Sequence, residues 1–165
     1  MAQLIKEVSK NGVALIKHFE GFSATKYDDG VGVMTIGYGH AIKKTEVFNK
    51  PISMQEAEAI LVKDLAAVDA AISKWVTVPL NQNQYDAIGS FIFNLGAGNF
   101  AGSTLLKKLN AKDYEGASKE FIRWNKGRVN GALVEMPGLT RRRLAEQKLF
   151  TTGPEVQDPL KNILK

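Results

Sequence analysis

The run EGFSATKYDDGVGVMTIGYGH, from Glu20 to His40, constrains the fold more than any other stretch, because the spacing of apolar residues changes there from helical to strand-like. Upstream, Ile5, Val8, Gly12, Leu15, Ile16 and Phe19 trace one stripe of a helix with Ser9 as its N-cap. Gly21 supplies the stop, since glycine takes the left-handed conformation at a helix C-terminus without a Cβ clash. Turn chemistry follows at Asp28, Asp29 and Gly30. The alternating Val31, Val33, Thr35 and Tyr38, punctuated by Gly32, Gly37 and Gly39, then read as a small antiparallel β element.

This hand-over puts two carboxylates, Glu20 and Asp29, on opposite banks of one turn, with eight residues between them. Thr35 follows Asp29 after five more. Cleavage of a glycosidic bond uses such a pair, one carboxyl protonated to serve the leaving oxygen and one ionised to activate water or stabilise an oxocarbenium-like transition state. A carboxyl at a helix C-terminus faces the negative end of the macrodipole and loses solvation when partly buried, and both favour the protonated acid. Glu20 is thus the acid candidate and Asp29, on a solvated turn, the ionised partner. A surface Glu ending a helix and an Asp in a β-turn would produce the same spacing.

The set Glu20, Asp29 and Thr35, with the run TIGYGH from Thr35 to His40, resembles the catalytic signature of the phage-type lysozymes, the muramidases of glycoside hydrolase family 24. LNQNQYDAIGSFIFNLGAGNF, STLLKKLN, the Trp124 region and PGLTRRR resemble the later helices of that family, so the likeness covers nearly the whole chain. The resemblance implies an α+β, mostly helical, lysozyme-like fold: a small N-terminal β-hairpin lobe and a larger C-terminal helical lobe joined by a long helix. A single domain is expected, with the small lobe at about 20–60, the helical lobe at about 75–150 packed with the N-terminal helix, and a tail over 151–165. Glu20 is then the general acid, while Asp29 and Thr35 position the attacking water. Asp28 competes with Asp29, but only Asp29 leaves the five-residue gap to Thr35. The resemblance further implies that Phe93 and Asn94 line a sugar cleft and that an arginine of the Arg141–Arg143 run, taken as Arg142, approaches Glu20. The implied reaction is hydrolysis of the β-1,4 bond between N-acetylmuramic acid and N-acetylglucosamine. Inversion is expected, which needs carboxyls about 6.5–9.5 Å apart, without metal or cofactor. The partner is the glycan strand of peptidoglycan, met by a monomer.

Composition narrows the partner less sharply. Lys plus Arg number 22 against 17 acids, a net charge of +5, which suits a polyanion: nucleic acid, an anionic membrane surface or a wall polymer. A nucleic-acid-binding module built on Arg123, Arg128 and the Arg141 run lacks any accompanying recognition motif. A lytic transglycosylase needs one acid and no water nucleophile, so the presence of Asp29 and Thr35 argues against it. The chain has no cysteine, which rules out disulfides and thiolate metal sites. No signal-peptide core or long apolar span occurs. The expectation is therefore no stable membrane insertion and residence in the host cytoplasm. A separate membrane-permeabilising factor, as the resemblance to phage lysis enzymes implies, then opens the way to the wall.

Further along, Ser53 and Glu56 form a capping box that opens a long helix with Ala57, Ile60, Leu61, Leu65, Val68 and Ile72 on one face. Asp64 falls on its apolar side and is expected to pair with His40, because an unpaired carboxylate there would be costly. Pro79 ends the helical region and Asn81 restarts it as an N-cap. The next helix, with Tyr85, Ile88, Phe91, Ile92 and Leu95, is read as ending at Gly96-Ala97-Gly98. That GAG follows a helix and lacks the lysine of a phosphate loop. Ser103 caps a short helix, and Asp113 caps another running through Trp124. Arg123, Lys126 and Arg128 are read as a Gly-containing loop, and Pro137 and Gly138 as preceding the last helix. His18 is expected to point away from the site. The tail is read first as a loosely ordered terminus, with an extended stretch docked by Leu160, Ile163 and Leu164 as the alternative.

Overall fold

A computed structural model describes residues 4–30 and 32–164; Val31 of the alternating run, and the first three residues of the N-terminal segment, lie outside them. Helix α1 (Lys10–Glu20) stops at Gly21, whose φ of +70° lies in the region that favours glycine. Its start is capped from another helix. The Ser9 hydroxyl makes no bond to its own helix and donates to the Asp86 carboxylate, which also accepts the Ser9 N–H at 2.9 Å.

Beyond Gly21, β1 (Ser23–Asp28), β2 (Met34–Gly37) and β3 (His40–Ala41) form a three-stranded antiparallel sheet in that order. Tyr27 stands opposite Thr35 and Ile36 opposite His40, with a bulge between Ser23 and Tyr27. The Ser53–Glu56 capping box is present and opens α2 (Met54–Trp75), which packs on β2 and β3 and on the next helix. One face of α2 buries Ala57, Leu61, Leu65, Val68, Ala71 and Ile72, the spacing of an amphipathic helix.

Helix α3 (Gln82–Leu95), opened by an Asn81–Gln84 capping box, is buried along most of its length. It packs on α1, on α2 and most extensively on α7 (Pro137–Thr151). Between α3 and α7 lie α4 (Ala97–Ala101), α5 (Thr104–Asn110), α6 (Tyr114–Ser118), a 3-10 turn over Phe121–Trp124 and a hairpin of β4 (Lys126–Val129) and β5 (Ala132–Glu135). Helix α8 (Leu160–Ile163) closes the described chain. Leu15, Ile36, Leu61, Ile88, Phe91, Leu105, Phe121 and Leu149 belong to one continuous core.

Several elements differ from the sequence reading. Gly96, with φ +91°, does end α3, but Gly98 lies inside α4, where fully buried Phe100 packs edge-on against Phe91 and anchors the turn. The helix capped by Asp113 breaks after Ser118, and the tighter 3-10 turn brings Phe121 onto both Phe91 and Phe150 at 5.5 Å. The loop expected around Arg123, Lys126 and Arg128 is largely a hairpin. Its turn is Asn130-Gly131, with φ of +51° and +84°, the pair of positive values that a two-residue turn matching strand twist demands. Pro137 and Gly138 are the first residues of α7, where the missing proline N–H costs nothing. The tail carries the short α8, with Leu160 in the core.

Candidate active site

A cavity of about 490 Å³ opens where the end of α1, the end of α3 and the start of α7 meet, with His18, Glu20, Asn94, Met136, Arg141 and Arg142 in its wall. Glu20 is the last residue of α1, and its side chain is 19% exposed. Its two oxygens have different surroundings. Oε2 accepts from Arg142 Nη1 at 2.7 Å. Oε1 lies over the backbone of Gly39, where a Cβ would stand 2.5 Å away, so the turn between β2 and β3 has room for the carboxyl only with glycine there. The φ of +76° at Gly39 demands the same residue.

Arg142 is in turn held from behind. Its Nε donates to Glu146 Oε2 at 3.2 Å, its Nη2 donates to the Ser90 carbonyl at 3.2 Å, and its guanidinium lies over the Phe19 ring. Glu146, fully buried, also accepts from the Ser90 hydroxyl at 2.6 Å and from Arg143 Nη1 at 2.5 Å. Arg143 donates onward to the Trp124 carbonyl at 3.0 Å and to the Asn94 side-chain oxygen. Burial pulls the Arg143 guanidinium below its ordinary pKa, against the charge of Glu146, which favours the cation. No buried side-chain nitrogen or oxygen among the described residues lacks a partner. Deleting one member of such a pair strands a charge and costs about 3–5 kcal/mol.

On the sheet side, Asp29 and Thr35 are fastened to the backbone of one residue, Val33. The Asp29 carboxylate accepts the Val33 N–H at 3.1 Å, the Asp29 N–H donates to the Val33 carbonyl at 3.0 Å, and the Thr35 hydroxyl donates to that carbonyl at 3.2 Å. Asp28, the competing acid, spends a carboxylate oxygen on the N–H groups of Gly30 and Gly32, shaping the turn. Asp29 is exposed and Thr35 buried. Neither stands in the wall of the α1/α3/α7 cavity. Tyr27, paired with Thr35 across the sheet, relates them to Glu20: burial raises its phenol pKa first, and the charges of Glu20 and Asp29 raise it further. The Tyr27 hydroxyl is therefore within range of both charges.

The remaining expected residues separate. Asn94 is in the cavity wall and anchors Arg143, whereas Phe93 is half-buried against the core. His18, expected to point away, lines the cavity and meets Phe19 edge-on at 4.9 Å. His40 is buried, with Nδ1 at 2.7 Å from Asp64 and Nε2 at 2.9 Å from Glu46. Burial alone would lower the imidazole pKa, but the bonds to Asp64 and Glu46 outweigh it and hold it above the ordinary value. Sequence reasoning missed Glu46, Gly39, Ser90 and Glu146. Glu146 had a signal, since it follows Arg142 by four positions and Arg143 by three, the spacings that meet on one helix face.

The family model for phage lysozymes matches residues 17–146. An endolysin of Acyrthosiphon pisum secondary endosymbiont phage 1 is 47% identical over 146 residues, covering 88% of this chain and 99% of the relative. Among solved structures, an endolysin from Escherichia coli O157:H7 phage FAHEc1 superposes with a TM-score of 0.84 at 32% identity, covering 92% of this chain and 96% of that one. The muramidase domain of SpmX from Asticaccaulis excentricus superposes with a TM-score of 0.83 at 34% identity, covering 90% of this chain and all of that one, 100%. A family match across most of the chain, joined to a close relative at full length, makes this chain a member of the phage lysozyme family.

Proposed function

We propose that Glu20, Asp29 and Thr35 carry the reaction of this phage lysozyme, hydrolysis of the β-1,4 bond between N-acetylmuramic acid and N-acetylglucosamine in peptidoglycan. The unequal surroundings of the two Glu20 oxygens are what support the assignment most. Oε2 is committed to Arg142, so the transferable proton sits on Oε1, beside Gly39 and toward the sheet. Oε1–H protonates the glycosidic oxygen as the C–O bond breaks, and the leaving sugar takes that proton. A water on the opposite face gives its proton to Asp29 and its oxygen to the anomeric carbon. The Thr35 hydroxyl spends its hydrogen on the Val33 carbonyl, which leaves its lone pairs for a proton of that water.

Asn94, and Phe93 beside it, contribute to the sugar cleft, while Arg142 acts on the reaction through Glu20. The glycan strand lies between a small lobe of about 20–60 and a helical lobe of about 75–150 within a single domain. The net charge of +5 steers the enzyme, a monomer, toward anionic wall peptides. It is held in the host cytoplasm until a separate factor opens the membrane, after which it lyses the cell.

The stereochemistry of the first-formed product tests this directly. NMR of peptidoglycan fragments during early turnover should show inversion at the anomeric carbon. Retention would remove the water-positioning role of Asp29 and Thr35, and anhydromuramyl ends would replace hydrolysis with transglycosylation.

A further inference from the structure

Behind Glu20, side chains alternate in sign: Glu20, Arg142, Glu146, Arg143. Glu146 is fully buried and is not in the cavity wall, so it touches no substrate. Both its oxygens are nevertheless engaged, Oε2 by Arg142 Nε and the Ser90 hydroxyl, Oε1 by Arg143. With Nε on Glu146, Nη2 on Ser90 and Nη1 on Glu20, the Arg142 guanidinium cannot turn without losing a bond.

We propose that Glu146 is a positioning residue for catalysis: it fixes the edge of Arg142 that holds Glu20 Oε2, and it offsets part of the positive charge that the two arginines place behind Glu20. The inference rests on Glu20 being the proton donor. The charged and titratable groups around Glu20 can be taken element by element. Helix α7 brings Arg142 and Arg141, with Arg143 behind them and also within range of the Glu20 charge. The sheet side brings Tyr27, which feels both Glu20 and Asp29. Helix α1 itself brings His18, and α3 contributes only the uncharged Ser90 and Asn94. Apart from Asp29, then, the negative charge that counters the arginines is that of Glu146. Without it, the positive charge of both arginines acts on Glu20 with no buried carboxylate between them.

The test is the pH profile of kcat/KM on purified peptidoglycan for wild type, Glu146→Gln, Arg143→Gln, the double variant Glu146→Gln/Arg143→Gln, and Glu20→Gln. In Glu146→Gln the alkaline limb should move about one pH unit toward acid. The double variant restores the wild-type net charge behind Glu20 and should move it back toward wild type. Arg143→Gln alone leaves one arginine against Glu146, one positive charge fewer than wild type, and should move the limb the other way, which keeps the proposal testable if Glu146→Gln fails to fold. Alkaline limbs that coincide with wild type in whichever variants fold would overturn it, as would a shift that the double variant does not reverse. Glu20→Gln separates the two levels. Full activity there sinks the assignment of the acid itself, whereas an inactive Glu20→Gln beside an unmoved limb in Glu146→Gln sinks only the role of Glu146.

Discussion

His40 shows how far single side chains here depend on burial and pairing together. Because the bonds to Asp64 and Glu46 outweigh burial and raise the imidazole pKa, the charged ring binds its proton more tightly in the folded than in the unfolded chain. The resulting stabilisation is complete below the ordinary histidine pKa of about 6.5 and is lost as pH rises through the higher folded value. Glu46 sets the acid boundary. The Lys43 N–H, and then His40, hold its carboxyl below the ordinary value, so its contribution fades as pH falls through that lowered value. Asp64→Asn keeps an acceptor for the ring and removes the charge. Thermal melts should therefore show the variant below wild type near pH 6, with the gap narrowing by pH 9, at about 2–4 °C for each kcal/mol lost. Activity should change little. Identical melting temperatures near pH 6 would show that the pair contributes nothing.

Helix α1 holds Glu20, and its seat on α3 is set by Gly12. A Cβ there would stand 2.9 Å from the Asp86 carboxyl carbon and would run into Val8. The Asp86 carboxylate, whose pKa burial raises against the Ser9 and Gln82 hydrogen bonds, caps α1 at that point. Gly12→Ala should push the helices apart, costing about 1–3 kcal/mol, and should lower activity because Glu20 moves with α1. Circular-dichroism melts and wall-lysis rates check both; an unchanged melting temperature would mean that the contact relaxes freely. The same elements show what sequence can reveal. Gly21 as a stop and the boxes at Ser53 and Asn81 are local chemistry, legible within four residues. Ser9 was legible as an N-cap position, but not that its hydroxyl would turn to Asp86, 77 positions away. The β4–β5 hairpin was missed although Asn130-Gly131 announces it, because its strands are mostly exposed and carry Lys126 and Arg128 where an apolar alternation would be sought.

Taken whole, the site draws on α1, the sheet, α3 and α7, and its central bond joins residues 122 positions apart. Spacing in the sequence could nominate Glu20, Asp29 and Thr35, because one short hand-over from helix to sheet carries all three. It could not show which Glu20 oxygen is bonded to Arg142, or that one buried carboxylate is bonded to both arginines behind it, since those follow from packing. The most direct check on the whole account is the rate at which purified peptidoglycan clears with Glu20→Gln beside wild type. The glutamine keeps the shape of the side chain and an oxygen for Arg142 but has no carboxylic proton to give. A fall of at least about a hundredfold is the predicted result, in a protein that melts within a few degrees of wild type. Clearing within about tenfold of the wild-type rate would contradict the account, because losing a general acid typically costs a hundredfold or more.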